Sequence, residues 1–179
     1  KKKLKIQDSD VQFSNKNIND INLNNIDLII DSSGAFYDKK VFDKIKKNKI
    51  IYIATNDQNN FKSIVYGVNH KDINLKKNKF YTSSICDVIS LAPLYSILDK
   101  KFKILNGTLT TLHPWLSYQK ILDGKKILGN KDGFQLGRSS VNNLILKNTT
   151  AIKSLAKIFK GADKKIQSLS FRVPTNIVT

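Results

Sequence analysis

The chain has 179 residues, 40% of them hydrophobic and 9% aromatic, enough for one domain of ordinary size or parts of two around a buried core. It has no apolar run long enough for a membrane-spanning helix, its basic opening Lys1–Ile6 is not followed by the apolar stretch of a secretory signal, and its single cysteine, Cys86, excludes a disulfide framework or a multi-cysteine metal site. The formal charge of +17 suggests a nucleic-acid partner, but the lysines are scattered along the whole chain with no aromatic-interleaved motif or zinc finger among them, so no specific nucleic acid is expected.

Residues 7–26 are polar, rich in Asn and Asp, and read as short edge strands and loops. The β-branched run Ile26–Asp31 predicts a buried strand that ends in the turn Ser32-Ser33-Gly34. Residues 37–48 read as a helix with Phe42 and Ile45 on one face, and residues 49–54 and 63–69 as two more buried strands. Strand, helix and strand in close succession imply a parallel sheet with crossover helices. A domain junction is expected near residue 85. Beyond it, residues 86–98 predict a helix with Pro93 inside, tolerable only with a kink or a late start. Residues 102–113 read as a strand, and residues 122–138, with four glycines, as a long loop. Thr149 or Thr150 is placed to cap a helix running to Phe159. In residues 167–173, Leu169, Phe171 and Val173 alternate with Ser168, Ser170 and Arg172.

Three features carry chemistry. Cys86 opens a predicted helix, where the macrodipole favours thiolate, although a lone cysteine is more often buried and inert. His113 ends a predicted strand, and a Cys–His pair makes an activated nucleophile, although a lone histidine is more often structural. Only two of the 31 basic residues, Arg138 and Arg172, are arginine; each reads equally as a fork for phosphate or carboxylate and as half of a structural ion pair. His70 reads as a surface residue, and no metal site is expected.

The order of short motifs resembles the phosphorylating glyceraldehyde-3-phosphate dehydrogenases. The run comprises Asp31-Ser32-Ser33-Gly34, Tyr66-Gly67-Val68-Asn69, Ser84-Ile85-Cys86, Leu91-Ala92-Pro93-Leu94, Thr110-Thr111-Leu112-His113, Asp123-Gly124, Gly137-Arg138, Asn148-Thr149-Thr150-Ala151 and Phe171-Arg172-Val173-Pro174-Thr175. The resemblance implies an α/β fold: residues 1–85 as the C-terminal part of a Rossmann-type NAD(P)-binding domain, and residues 86–179 as a catalytic domain with a mixed or antiparallel sheet. It implies Cys86 as nucleophile and His113 as its acid/base partner. Ser84, Thr149, Thr150, Arg172 and Arg138 fall to the substrate and phosphate, and Ser32, Ser33, Gly34 and Asn56 to NAD or NADP. The implied substrates are a phosphorylated aldehyde and inorganic phosphate, with oxidation through a thioester in cytoplasmic carbohydrate metabolism and a homotetramer without membrane attachment. The alternative is a catalytically weakened paralogue that serves as a binding or assembly subunit.

The sequence also departs from the family pattern. Ile85 and Asp87 replace a serine and a threonine beside the nucleophile, and the carboxylate of Asp87 disfavours thiolate unless it points away. Leu116 and Tyr118 stand where the family has threonines, Leu136 where it has a second phosphate arginine, and Thr150 where it has glycine. No Gly-x-Gly-x-x-Gly turn is present and there is no methionine. The chain is therefore expected to be the middle of a longer protein.

Overall fold

The computed structural model describes residues 3–6, 9–12, 14–34, 39–116, 119–124 and 137–175. The chain opens with an antiparallel hairpin of β1 (Lys3–Ile6) and β2 (Ser9–Gln12). A four-stranded parallel sheet follows, formed by β3 (Leu28–Asp31), β4 (Ile51–Ala54), β5 (Lys62–Ser63) and β6 (Phe80–Thr82) in the order β3-β4-β6-β5. Helix α1 (Lys39–Lys47) crosses from β3 to β4 and buries Val41 and Ile45, one turn apart, against the sheet. Its last turn carries Lys44, Lys46 and Lys47, which suit the negative end of the helix dipole. Asn48 closes it by donating to the Lys44 carbonyl at 2.8 Å. The core beneath joins Leu23, Ile50, Tyr52 and Ala54 to an edge-to-face cluster in which Phe42 meets the rings of Tyr52 and Phe61 at 5.7 and 5.4 Å.

The remaining elements are α2 (Cys86–Phe102), β7 (Gly107–His113), β8 (Ile145–Lys147), α3 (Ala151–Ala156), α4 (Ala162–Lys165) and β9 (Ile166–Arg172). The strands form a mixed sheet in the order β7-β9-β8, with β7 parallel and β8 antiparallel to the central β9. Val88, Ala92 and Tyr95 make a buried stripe on α2 that meets Ile152 and Leu155 of α3 and Ala162 of α4. The sheet begins at a close approach: a β-carbon on Gly107 would lie 3.0 Å from Ile166 Cδ1 across the ladder, so a larger residue here would press the end of the Ile166 side chain aside. The molecule is thus α/β with one parallel and one mixed sheet, and no described helix is long and apolar enough to cross a membrane.

Several expectations need correcting. The strand expected over residues 63–69 is cut to Lys62–Ser63, because Asn69 folds the chain back, accepting from Val65 N at 2.8 Å and donating to Ser63 O at 2.9 Å, with Gly67 at φ 81°. Strand β6 was not foreseen; its three residues are too few for a period to show. Helix α2 runs past Leu98 to Phe102, ending on left-handed Lys103, and it passes through Pro93, which withholds a backbone donor from the carbonyl of Ile89, an exposed residue. Phe102 therefore belongs to the helix and the strand starts at Gly107. Helix α3 stops at Ala156 rather than Phe159. Residues 37 and 38 of the expected first helix, residues 125–136 of the expected loop, and Tyr118 lie outside the described residues.

Candidate active site

Two regular elements deliver the central side chains. Cys86 and Asp87 occupy the first turn of α2, and His113 is the last residue of β7. Along β7 burial alternates, so Leu109, Thr111 and His113 share the inward face. The parallel register pairs His113 with Arg172 and Thr111 with Ser170, and partners in a ladder point to the same side. Residues 59 positions apart in the chain thereby become neighbours, through backbone hydrogen bonding alone. On β9 the small polar residues face inward: Ser170 and Arg172 are buried, while Leu169 is exposed.

These residues meet at a cavity of about 610 Å³ whose walls include Cys86, Asp87, Thr111, His113 and Arg172. Cys86 Sγ, an Asp87 carboxylate oxygen and a His113 ring nitrogen all lie within 4.8 Å of one another. Asp87 does not point away. Its Oδ1 lies 3.0 Å from His113 Nε2 and 3.7 Å from Cys86 Sγ, and its Oδ2 accepts from the Thr149 hydroxyl at 3.3 Å. A carboxylate only accepts, so Nε2 carries the hydrogen in this pair. Partial withdrawal from water and the neighbouring Asp87 carboxylate push the Cys86 thiol above its ordinary range, and the backbone N–H groups of residues 86 and 87 oppose this without cancelling it.

Two donors in the cavity wall are left over. Arg172 is buried, makes one long 3.5 Å contact from Nη1 to Pro114 O, and its Nε has no partner among the described residues. The buried Thr111 hydroxyl is likewise unpartnered. Unmatched buried donors are costly, so a wall holding two of them is built for a polar or anionic ligand.

The other candidate residues are placed elsewhere. Ser84 is fully buried two residues before Cys86, in left-handed backbone at φ 69°, and does not line the cavity. Thr149 reaches the cluster only through Asp87, while its oxygen also accepts from Ala151 N at 3.1 Å at the start of α3. Thr150 is exposed and lines a second cavity of about 890 Å³ together with Asn56, Asp57 and Phe42. Arg138 pairs with Asp123 at 3.0 Å on the surface. Ser32, Ser33 and Gly34 follow the carboxyl end of β3, and Asn56 follows that of β4. Among the described residues Asn56 Nδ2 is buried without a partner, and Gly34, at φ 70°, has nothing within 4 Å of where a β-carbon would stand. Sequence reasoning passed over Thr111, although counting back two residues from His113 along a strand would have found it.

A family model described as glyceraldehyde 3-phosphate dehydrogenase, C-terminal domain, matches residues 85–179. The chain is 32% identical over 154 residues to the cytosolic glyceraldehyde-3-phosphate dehydrogenase of Chlamydomonas reinhardtii, a match covering 86% of this chain and 44% of that protein. It is likewise 32% identical to the enzyme of that name from Mastigamoeba balamuthi (84% and 43% covered), and 30% identical to that from Helicobacter pylori (86% and 46%). The chain thus spans less than half the length of these relatives.

Proposed function

The chain belongs to the glyceraldehyde-3-phosphate dehydrogenase family, and from that premise we propose that it carries the catalytic part of a dehydrogenase that oxidises a phosphorylated aldehyde on Cys86. The observation that carries this reading is the meeting of Cys86, Asp87 and His113 in a cavity whose wall also holds the unpartnered Arg172 and Thr111. On this reading residues 86–179 are the catalytic domain and residues 1–85 the C-terminal part of a Rossmann-type domain. The parallel sheet of β3 to β6 supports the second assignment.

The residues at the carboxyl ends of β3 and β4 fit a nicotinamide cofactor. Among the described residues nothing crowds Gly34 and nothing accepts from Asn56 Nδ2, which suits close approach of a ligand there. Ser32, Ser33, Gly34 and Asn56 would hold NAD or NADP, which when bound supplies the acceptor for hydride.

Cys86 Sγ attacks the aldehyde carbon as the C–S bond forms. The thiol proton passes to the Asp87–His113 pair through Oδ1, which it already faces. His113 Nε2 gives its hydrogen to the carbonyl oxygen as the π electrons move there. Arg172 binds the substrate phosphate, and its fork suits that anion better than an ammonium would. With the hemithioacetal C–H hydrogen lost as hydride to the acceptor that a bound cofactor would supply, and the hydroxyl proton taken by the Asp87–His113 pair, Cys86 would hold the acyl group as a thioester. An oxygen of inorganic phosphate then displaces the sulfur, which leaves as thiolate and regains its proton from that pair. The enzyme acts in carbohydrate metabolism in the cytosol, the compartment in the Chlamydomonas relative's name, and assembles as a homotetramer.

Alkylation by iodoacetamide tests the site. Cys86 is expected to react slowly at pH 7, about tenfold faster in Asp87→Asn, where the opposing charge is gone, and more slowly in His113→Asn. Cys86→Ser should abolish NAD(P)H formation from the aldehyde and phosphate. Alkylation indifferent to His113→Asn, with no turnover in the native protein, would instead favour the weakened paralogue, a reading that the interposed Asp87 carboxylate supports.

A further inference from the structure

We propose that Cys86, Asp87 and His113 form a three-ligand site for a thiophilic divalent cation, zinc foremost. The three ligand atoms lie within 4.8 Å of one another, with the Oδ1–Nε2 edge at 3.0 Å and the Oδ1–Sγ edge at 3.7 Å. Zinc holds oxygen and nitrogen at about 2.0–2.1 Å and sulfur at about 2.3 Å, so the edges of a tetrahedral site run from about 3.3 to 3.6 Å. The two Oδ1 edges lie within about 0.4 Å of that shape, and the Sγ–Nε2 edge, within 4.8 Å, has to close to reach it.

The surroundings prepare these atoms to act together. The Thr149 hydroxyl engages Oδ2 of Asp87 and leaves Oδ1 facing both sulfur and imidazole. The β7–β9 ladder fixes the backbone of His113, and α2 fixes that of Cys86 and Asp87. The metal takes the place of the two hydrogens now directed at Oδ1. The thiol proton leaves to solvent, the imidazole proton moves to Nδ1, and bonds form to Sγ, Oδ1 and Nε2. Thiolate and carboxylate neutralise the dication, and the fourth position opens into the cavity. Arg172, on the same wall, opposes a bare cation, which makes the charge of Asp87 indispensable. A sulfur–nitrogen–oxygen set selects zinc or its soft neighbours over magnesium and calcium.

Occupancy ties up the sulfur lone pair and the imidazole nitrogen together, so the metal reversibly silences the thiol. This holds whatever reaction the thiol serves, and the site needs no second cysteine. It was not foreseen from the sequence because nothing there places a carboxylate between residues 86 and 113.

The test is titration of the intact protein with Co²⁺, followed by displacement with Zn²⁺. One equivalent should give a thiolate-to-cobalt charge-transfer absorption that Zn²⁺ removes and that is missing in Cys86→Ser. Zn²⁺ should bind at least tenfold more weakly to Asp87→Asn and to His113→Asn, with the fold of each variant checked by circular dichroism. Zn²⁺ should also protect Cys86 from iodoacetamide until EDTA is added. A missing absorption band, or unchanged affinity in the near-isosteric Asp87→Asn, would overturn the proposal. Because the readouts are absorption and protection, they stand or fall independently of dehydrogenase turnover.

Discussion

Asp31 is buried at the end of β3, where it accepts hydrogen bonds from the Tyr52 hydroxyl and from the Ser33 backbone and hydroxyl, the last two at 2.9 and 2.6 Å. Burial alone would raise its carboxyl, but these bonds outweigh it and hold the group below the ordinary carboxylate value. A carboxylate lowered by folding stabilises the native state above its unfolded value and loses that contribution as pH falls through its folded value. Asp31→Asn should therefore cost about 1–3 kcal/mol at pH 7, and the loss should vanish in acid below the folded value, as urea midpoints across pH will show. At this scale the sequence was partly legible. Cys86, His113 and Arg172 stood out because each is rare in this chain. The direction of Asp87 was not legible, since a side chain in the first turn of a helix can swing either way and here Thr149, from a distant segment, and His113 decide it.

Helix α3 is tied to the segment after β4 by one carboxylate. Asp57 accepts from Ser154 Oγ at 2.6 Å and pairs with Lys157 just beyond α3 at 2.6 Å, and Lys157 also reaches Gln58 O at 3.1 Å. Ser154 is fully buried, so Ser154→Ala should destabilise the protein by about 1.5–3 kcal/mol, whereas Lys157→Met, at a partly exposed site, should cost under about 1 kcal/mol; thermal unfolding of both variants separates the contributions. The strands β3 and β4 were readable from their short apolar, β-branched runs and the helices α1 and α2 from their apolar residues, although β3 is not the buried strand expected, since Leu28 and Ile30 are exposed. On β9 the alternation was readable but its orientation was not. A period of two gives two faces and does not say which is inward; here the ligand-facing wall is the serine and arginine side.

Across the whole molecule, the mixed sheet turns Leu112, Leu146 and Leu169 outward, each at least 47% exposed, and Leu144 lies exposed just before β8. That aliphatic face suits a second copy of the chain better than water. Sedimentation should therefore show an assembly, and Leu169→Glu should shift it toward monomer while leaving the circular dichroism spectrum unchanged. The formal charge of +17 on each copy opposes this, so added salt, which screens the repulsion, should favour association. The in-register pairing of β7 with β9 has a consequence for tolerance to change. His113 and Arg172 are held side by side by main-chain bonds, and of the long excursion between them Thr149, α3 and α4 are bound into the site and the core, so freedom to vary is left to the stretch between Leu116 and β8. Grafting a different connection there should redraw the molecule's outer surface while leaving the pairing of His113 with Arg172 undisturbed.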